Sequence, residues 1–252
     1  MSPHLRLLLP FPVLALGFAL GFIQPLGLLI GTGFITLVLF AEPYLQRALW
    51  VVLVLVFAIA LAAHLLPGFS PWPLWPARQI SSDAAPYALR LSWDKLLVGL
   101  TLLAWWLGRK HTTERRPVHA GTAALATLLA VPLLALALNL VDWQPKWPDG
   151  LWLWLAVNLG VTVLAEELLF RGLLQTRLVA WLGVWPGILL TALLFGAAHI
   201  PFSPLFALVA GIAGLGYGLL FHYSGRLSLA IALHLAVNLS HLLLLSYPLR
   251  LP

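Results

Sequence analysis

The chain has 252 residues, 62% of them hydrophobic and only 9% charged, with a net charge of +6. An average soluble domain carries roughly 25% charged residues, so this composition excludes a soluble globule and marks a polytopic membrane protein. The basic balance is then a matter of topology rather than of nucleic-acid binding, and the absence of cysteine excludes disulfides, thiol catalysis and cysteine–metal sites.

A bilayer-spanning helix needs about 20 mostly apolar residues. Apolar runs of that order fall near 7–22, 26–40, 48–66, 93–107, 119–140, 151–170, 186–199, 204–222 and 227–246. Pro10, Pro12 and Pro25 blur the first two, so eight or nine transmembrane helices are expected in an all-α fold. Arg6 before the first run resembles the start of a signal peptide, but no clean cleavage site follows and a retained first helix is expected. The natural division is into 1–118, the N-terminal helices with a Pro/Trp-rich loop, and 119–252, a membrane core.

The segment 109–116 holds Arg109, Lys110, Arg115 and Arg116, four of the fourteen basic residues. The positive-inside rule makes it cytoplasmic. Threading nine helices from that point puts Arg6, Arg47, Arg171, Arg177 and Arg226 on the same side, with 67–92 and 141–150 opposite. The expected N-terminus is cytoplasmic. The 67–92 stretch, with five prolines and with Trp72 and Trp75, reads as an interfacial loop. Trp143, Trp147, Trp152, Trp154, Trp181 and Trp185 sit at predicted segment ends, as an aromatic belt requires.

An ionisable side chain at mid-membrane costs about 2.5–3.5 kcal/mol on insertion scales, so each one asks for a reason. Glu166 and Glu167 adjoin the apolar run 151–164. Neighbours on a helix differ by about 100°, so the two carboxylates face different ways. Glu167 and Arg171 are spaced i, i+4 in the favoured order and can neutralise one another. Glu166 is left to face a cavity, where a carboxylate suits general acid–base work. Alone, the cluster also reads as a salt-bridged helix end. Two further polar positions change the balance. His199 follows Phe195 at i+4, and Asn238 follows His234 at i+4, each pair on one helix face. Singly, such groups are commonly hydrogen bonds between helices. Three helices presenting Glu, His, His and Asn together are what a water-activating site uses, with a base, a water-holding group and oxyanion donors.

The ordered triple Glu166-Glu167-x-x-x-Arg171, Phe195-x-x-x-His199 and His234-x-x-x-Asn238 resembles the motifs of the CAAX-protease and bacteriocin-processing family. That family includes the Rce1-like type II prenyl-protein endopeptidases. The resemblance covers roughly 150–245. More weakly, Ser92-Trp93-Asp94-Lys95, opening a helix, looks like an upstream element of bacterial members. The resemblance implies a glutamate-dependent intramembrane endopeptidase in a bacterial plasma membrane, acting without a cofactor on a membrane-embedded or lipidated protein or peptide. It implies that Glu166 activates water with help from His199, that His234 and Asn238 hold the oxyanion, and that Glu167, Arg171 and Phe195 support the site.

Other readings stay open. Glu166, His199 and His234 are also acceptable ligands for a divalent metal, although no His-Glu-x-x-His helix is present. A non-proteolytic membrane immunity or scaffold protein is a second alternative. A transporter would call for paired halves, and no internal symmetry is seen. His64 and His222 read as boundary residues, and His241, seven positions beyond His234, as a possible supporting group. Gly211, Gly214, Gly216 and Gly218 read as close helix packing.

Overall fold

The computed structural model describes residues 6–109 and 115–251; most of the basic segment 109–116 that sets the expected topology therefore lies outside the described residues. Nine helices account for most of the described chain. They are α1 (Pro10–Ala19), α2 (Pro25–Leu39), α3 (Arg47–Ala62), α4 (Trp93–Leu107), α5 (Pro117–Ala137), α6 (Leu151–Leu182), α7 (Val184–Ala197), α8 (Pro204–Ser224) and α9 (Leu227–Leu244). A single 3-10 turn, Glu42–Tyr44, and the two-residue strands β1 (Trp72–Pro73) and β2 (Arg90–Leu91) complete the described elements. The strands pair antiparallel, with Trp72 opposite Leu91.

Each predicted segment is a helix, but they are unequal. By length and composition α5, α6, α8 and α9 can cross a membrane, whereas α1, α2, α3 and α7 are apolar but shorter. Proline explains part of the shortening. Pro10, Pro25, Pro117 and Pro204 are the first residues of their helices, where the missing N–H is not needed and the fixed φ favours the first turn. Ser203 caps α8 by accepting from the Phe206 amide at 2.9 Å. Asn139 at φ 54° follows α5, Gly183 at φ 91° parts α6 from α7, and Gly225 at φ 64° stops α8. These are the left-handed positions that end helices.

The chain forms two compact units, neither continuous in sequence. The first comprises Met1–Leu74, Arg90–His111 and Val157–Leu169. Its core joins Val13, Leu14, Ile23, Ile35, Trp93 and Leu97. Trp72 stacks on Phe22 at 5.4 Å and lies parallel to Trp93 at 6.3 Å. Trp72 thus packs against protein on one side while staying partly exposed.

The second unit comprises Trp75–Leu89, Thr112–Ala156 and Phe170–Pro252. Small residues set its helix contacts, as the glycine pattern predicts. A Cβ on Gly196 would lie 2.7 Å from the Ala207 carbonyl oxygen, and one on Gly216 would lie 1.9 Å from Thr127 Oγ1. Residues 75–89 are tied to the C-terminal end. Leu251 N donates to Asp83 O, Tyr247 N to Ser81 Oγ, and Ser246 Oγ to Asp83 Oδ2 at 2.5 Å. Five of the six belt tryptophans are exposed, but Trp154 is buried and donates to the Tyr247 hydroxyl at 3.0 Å. Burial raises the pKa of both Tyr87 and Tyr247 and lowers that of Lys146, the last opposed by the nearby Asp83 charge.

Candidate active site

Helix α6 carries the acidic motif and is not a uniform α-helix. Four α-helical residues, Leu164–Glu167, stand between two π-helical stretches, Asn158–Val163 and Leu168–Gln175. A π turn bonds i to i+5, is rare, and recurs at functional sites. Glu167 closes the α-helical segment and Arg171 lies within the second π stretch. The Thr176 hydroxyl follows the wider spacing, donating to the Arg171 carbonyl at 2.9 Å.

In the first unit, Glu166 meets a partner that the sequence reading did not assign. Lys95 Nζ donates to Glu166 Oε1 at 2.7 Å, with both side chains mostly buried. The contact follows from a close helix approach. A Cβ on Gly99 would sit 3.3 Å from Ala165 N, so α4 runs against the backbone beside Glu166. Lys95 is four residues before Gly99 and shares its face. The start of α4 is fixed in turn by Asp94, which is buried. Its Oδ1 accepts from the Lys95 amide at 2.8 Å, and its Oδ2 pairs with His64 Nδ1 at 2.8 Å. His64 adopts φ 59° just past α3, so it is an ordered partner rather than only a boundary residue. Glu167 is fully buried.

In the second unit, residues from the other two motifs share one cavity of about 90 Å³. Phe195 and His199 reach it from the end of α7, Tyr217 from α8, and His234, Asn238 and His241 from α9. A cavity needs only about 10–15 Å³ of such space to hold one water, so several fit. Pro132 of α5 also lines it. The His199 Nδ1–H donates to the Phe195 carbonyl at 2.8 Å. In the neutral ring that bond leaves the lone pair on Nε2, available to a water proton. His234 is buried, with Tyr217 stacked on it at 4.6 Å and 18° and Phe195 edge-on at 5.9 Å. His241 Nε2 donates to the Ser246 carbonyl at 2.9 Å, and the residue lines the same cavity.

Arg171 organises this aromatic group. It is fully buried, donates from Nη2 to the Gly214 carbonyl at 2.9 Å, and lies 4.5 Å from the Phe195 ring centroid and 5.2 Å from that of Tyr217. A guanidinium over aromatic faces gains both cation–π attraction and planar packing. Gly214 lets Phe195 come close, since a Cβ there would meet the ring at 3.0 Å. Sequence reasoning missed Tyr217, which hides inside the glycine-rich stretch. Nothing local in the sequence assigns Lys95 a task. Among the described residues no three His, Asp or Glu side chains are grouped as ligands for a metal ion.

Helices long and apolar enough for a membrane, with a cavity among α5 and α7–α9 that three histidines and an asparagine help to line, fit an integral membrane protein. Residues 148–240 match the family model described as type II CAAX prenyl endopeptidase, Rce1-like. The matched segment runs from the start of α6 into α9 and contains all seven motif residues, whereas Lys95 lies outside it. No curated protein and no solved structure matches the chain.

Proposed function

We propose that the protein is an intramembrane endopeptidase of glutamic type, hydrolysing a peptide bond in a membrane-embedded or lipidated protein or peptide. The observation that carries this reading is the cavity in which His199, His234 and Asn238 meet, together with the Rce1-like match over the same helices. In this reading Glu166 removes a proton from water, and the Nε2 of His199 accepts a hydrogen bond that orients it. Attack on the scissile carbonyl gives a tetrahedral oxyanion. Donors from His234 and Asn238 stabilise it, in a poorly solvated site where such bonds count for more. Glu166 then returns the proton to the leaving amine. Lys95 holds the Glu166 carboxylate, and Arg171 holds Phe195 and Tyr217 about His234. The helices of both units form eight or nine membrane segments in a bacterial plasma membrane, with the N-terminus cytoplasmic.

The test is cleavage of a lipidated or membrane-embedded peptide by purified protein, in excess chelator, for wild type and Glu166→Gln. Activity in chelator, abolished by the substitution, supports the reading. Loss in chelator with restoration only by added zinc points instead to a metal hydrolase. Absence of cleavage by wild type across such peptides favours an immunity or scaffold protein.

A further inference from the structure

The first unit contains a second cavity, of about 500 Å³, bounded by Arg6, Glu42, Arg47, Trp105 and Arg109. Three arginines and one glutamate line it, and most of its walls are held in place. Arg109 pairs with Glu42 and lies 4.4 Å from the Trp105 ring centroid. Trp105 Nε1 donates to Glu42 Oε2 at 3.2 Å, and Arg6 Nη2 donates to the Gly108 carbonyl at 3.3 Å. Glu42 neutralises one of the three positive charges. Arg47 is exposed and, among the described residues, makes no ion pair or hydrogen bond through its side chain. It is the first residue of α3, whose first turn has no acidic residue and no side-chain cap, so the first amides of that helix are left without intrahelical partners.

The surroundings define the ligand further. Leu39, Pro43 and Leu45 also line the cavity, and their chain neighbours Phe40 and Tyr44 are exposed, Tyr44 to 86%. An anion alone has no use for an apolar rim, but an anionic headgroup carrying acyl chains does. Basic pockets between membrane helices hold such headgroups, and the cytoplasmic leaflet is the anionic one. The planar fork of arginine matches phosphate oxygens bidentately. We propose that this cavity binds the phosphate of an anionic phospholipid headgroup, with Arg47 as the arginine that engages it. The inference rests on the membrane reading of the chain and not on the protease reading, because binding is measured without any cleavage.

The experiment uses the full chain in phosphatidylcholine nanodiscs titrated with phosphatidylglycerol. Bound lipid is read by native mass spectrometry, and thermal stability is followed alongside. Wild type should retain phosphatidylglycerol over phosphatidylcholine and gain stability from it. Arg47→Gln should weaken retention about fivefold, the factor expected for one arginine near an anionic surface, and Arg47→Lys should recover part of it. Arg90→Gln makes the same charge change elsewhere in the unit and should leave retention unchanged. Equal retention in wild type and Arg47→Gln, or equal loss in Arg90→Gln, overturns the proposal. A further arm adds soluble inorganic phosphate. Protection by phosphate alone, with displacement of the lipid, would assign the site to a free anion and overturn the lipid reading.

Discussion

Lys95 places its ammonium 2.7 Å from the Glu166 carboxylate, across 71 residues of sequence. This ion pair fixes the orientation of the carboxylate proposed as the base, so its loss should be felt in turnover more than in folding. Lys95→Met should reduce kcat by about 10²-fold, the scale expected when a reacting group is misplaced by about 1 Å, and Lys95→Arg should restore part of it. A double variant with Glu166→Gln should be no worse than Glu166→Gln alone, because contacting residues of one network are not additive. Additive losses in a cleavage assay would show that Lys95 acts elsewhere.

Asn238 and His234 lie one turn apart on α9 and line the same cavity. In the proposed role of oxyanion donor, Asn238 would act on the transition state more than on the resting fold. Asn238→Ala should lower kcat by about 10²–10³-fold with thermal stability near wild type. Complete loss of activity alongside a large drop in stability would make Asn238 a packing residue instead.

Arg171 behaves differently, being fully buried, bonded to the Gly214 carbonyl and laid over two aromatic rings. Arg171→Ala should depress yield and thermal stability strongly, since breaking a buried charged network costs about 3–5 kcal/mol. Arg171→Lys should fail nearly as badly, because an ammonium cannot reproduce the stacked fork. Glu166→Gln should express like wild type. Purified yield and melting temperature of the three variants decide it.

The helices were legible because apolar runs, helix-opening prolines and helix-ending glycines coincide along this chain. The i, i+4 pairs Phe195–His199 and His234–Asn238 were legible for the same periodic reason, and the structure brings both to one cavity. What stayed hidden depends on contacts that no local pattern encodes. Lys95 reaches Glu166 because Gly99 admits the Ala165 backbone, and Tyr217 lies on His234 because α8 packs closely on its neighbours. The π stretches around Leu164–Glu167 shift a register that the sequence shows as plain α-helix. Trp154 looks like its belt neighbours in sequence, yet it is buried against Tyr247.

The glycines offer a test of packing apart from chemistry. A methyl group on Gly196 would stand 2.7 Å from the Ala207 carbonyl oxygen, which is backbone and cannot rotate away, whereas one on Gly121 would meet nothing within 4 Å. Both glycines lie within helices, where alanine is intrinsically better by about 0.8–1 kcal/mol. At Gly121 that preference should appear as unchanged or raised thermal stability. At Gly196 the forced separation of α7 from α8 should outweigh it, since overpacking costs about 1–3 kcal/mol. The same separation would move His199, three residues on, within the cavity it shares with His234 and Asn238. Gly196→Ala should therefore lower both melting temperature and cleavage, while Gly121→Ala lowers neither. Equal behaviour of the two variants would mean that the α7–α8 contact does not position the site.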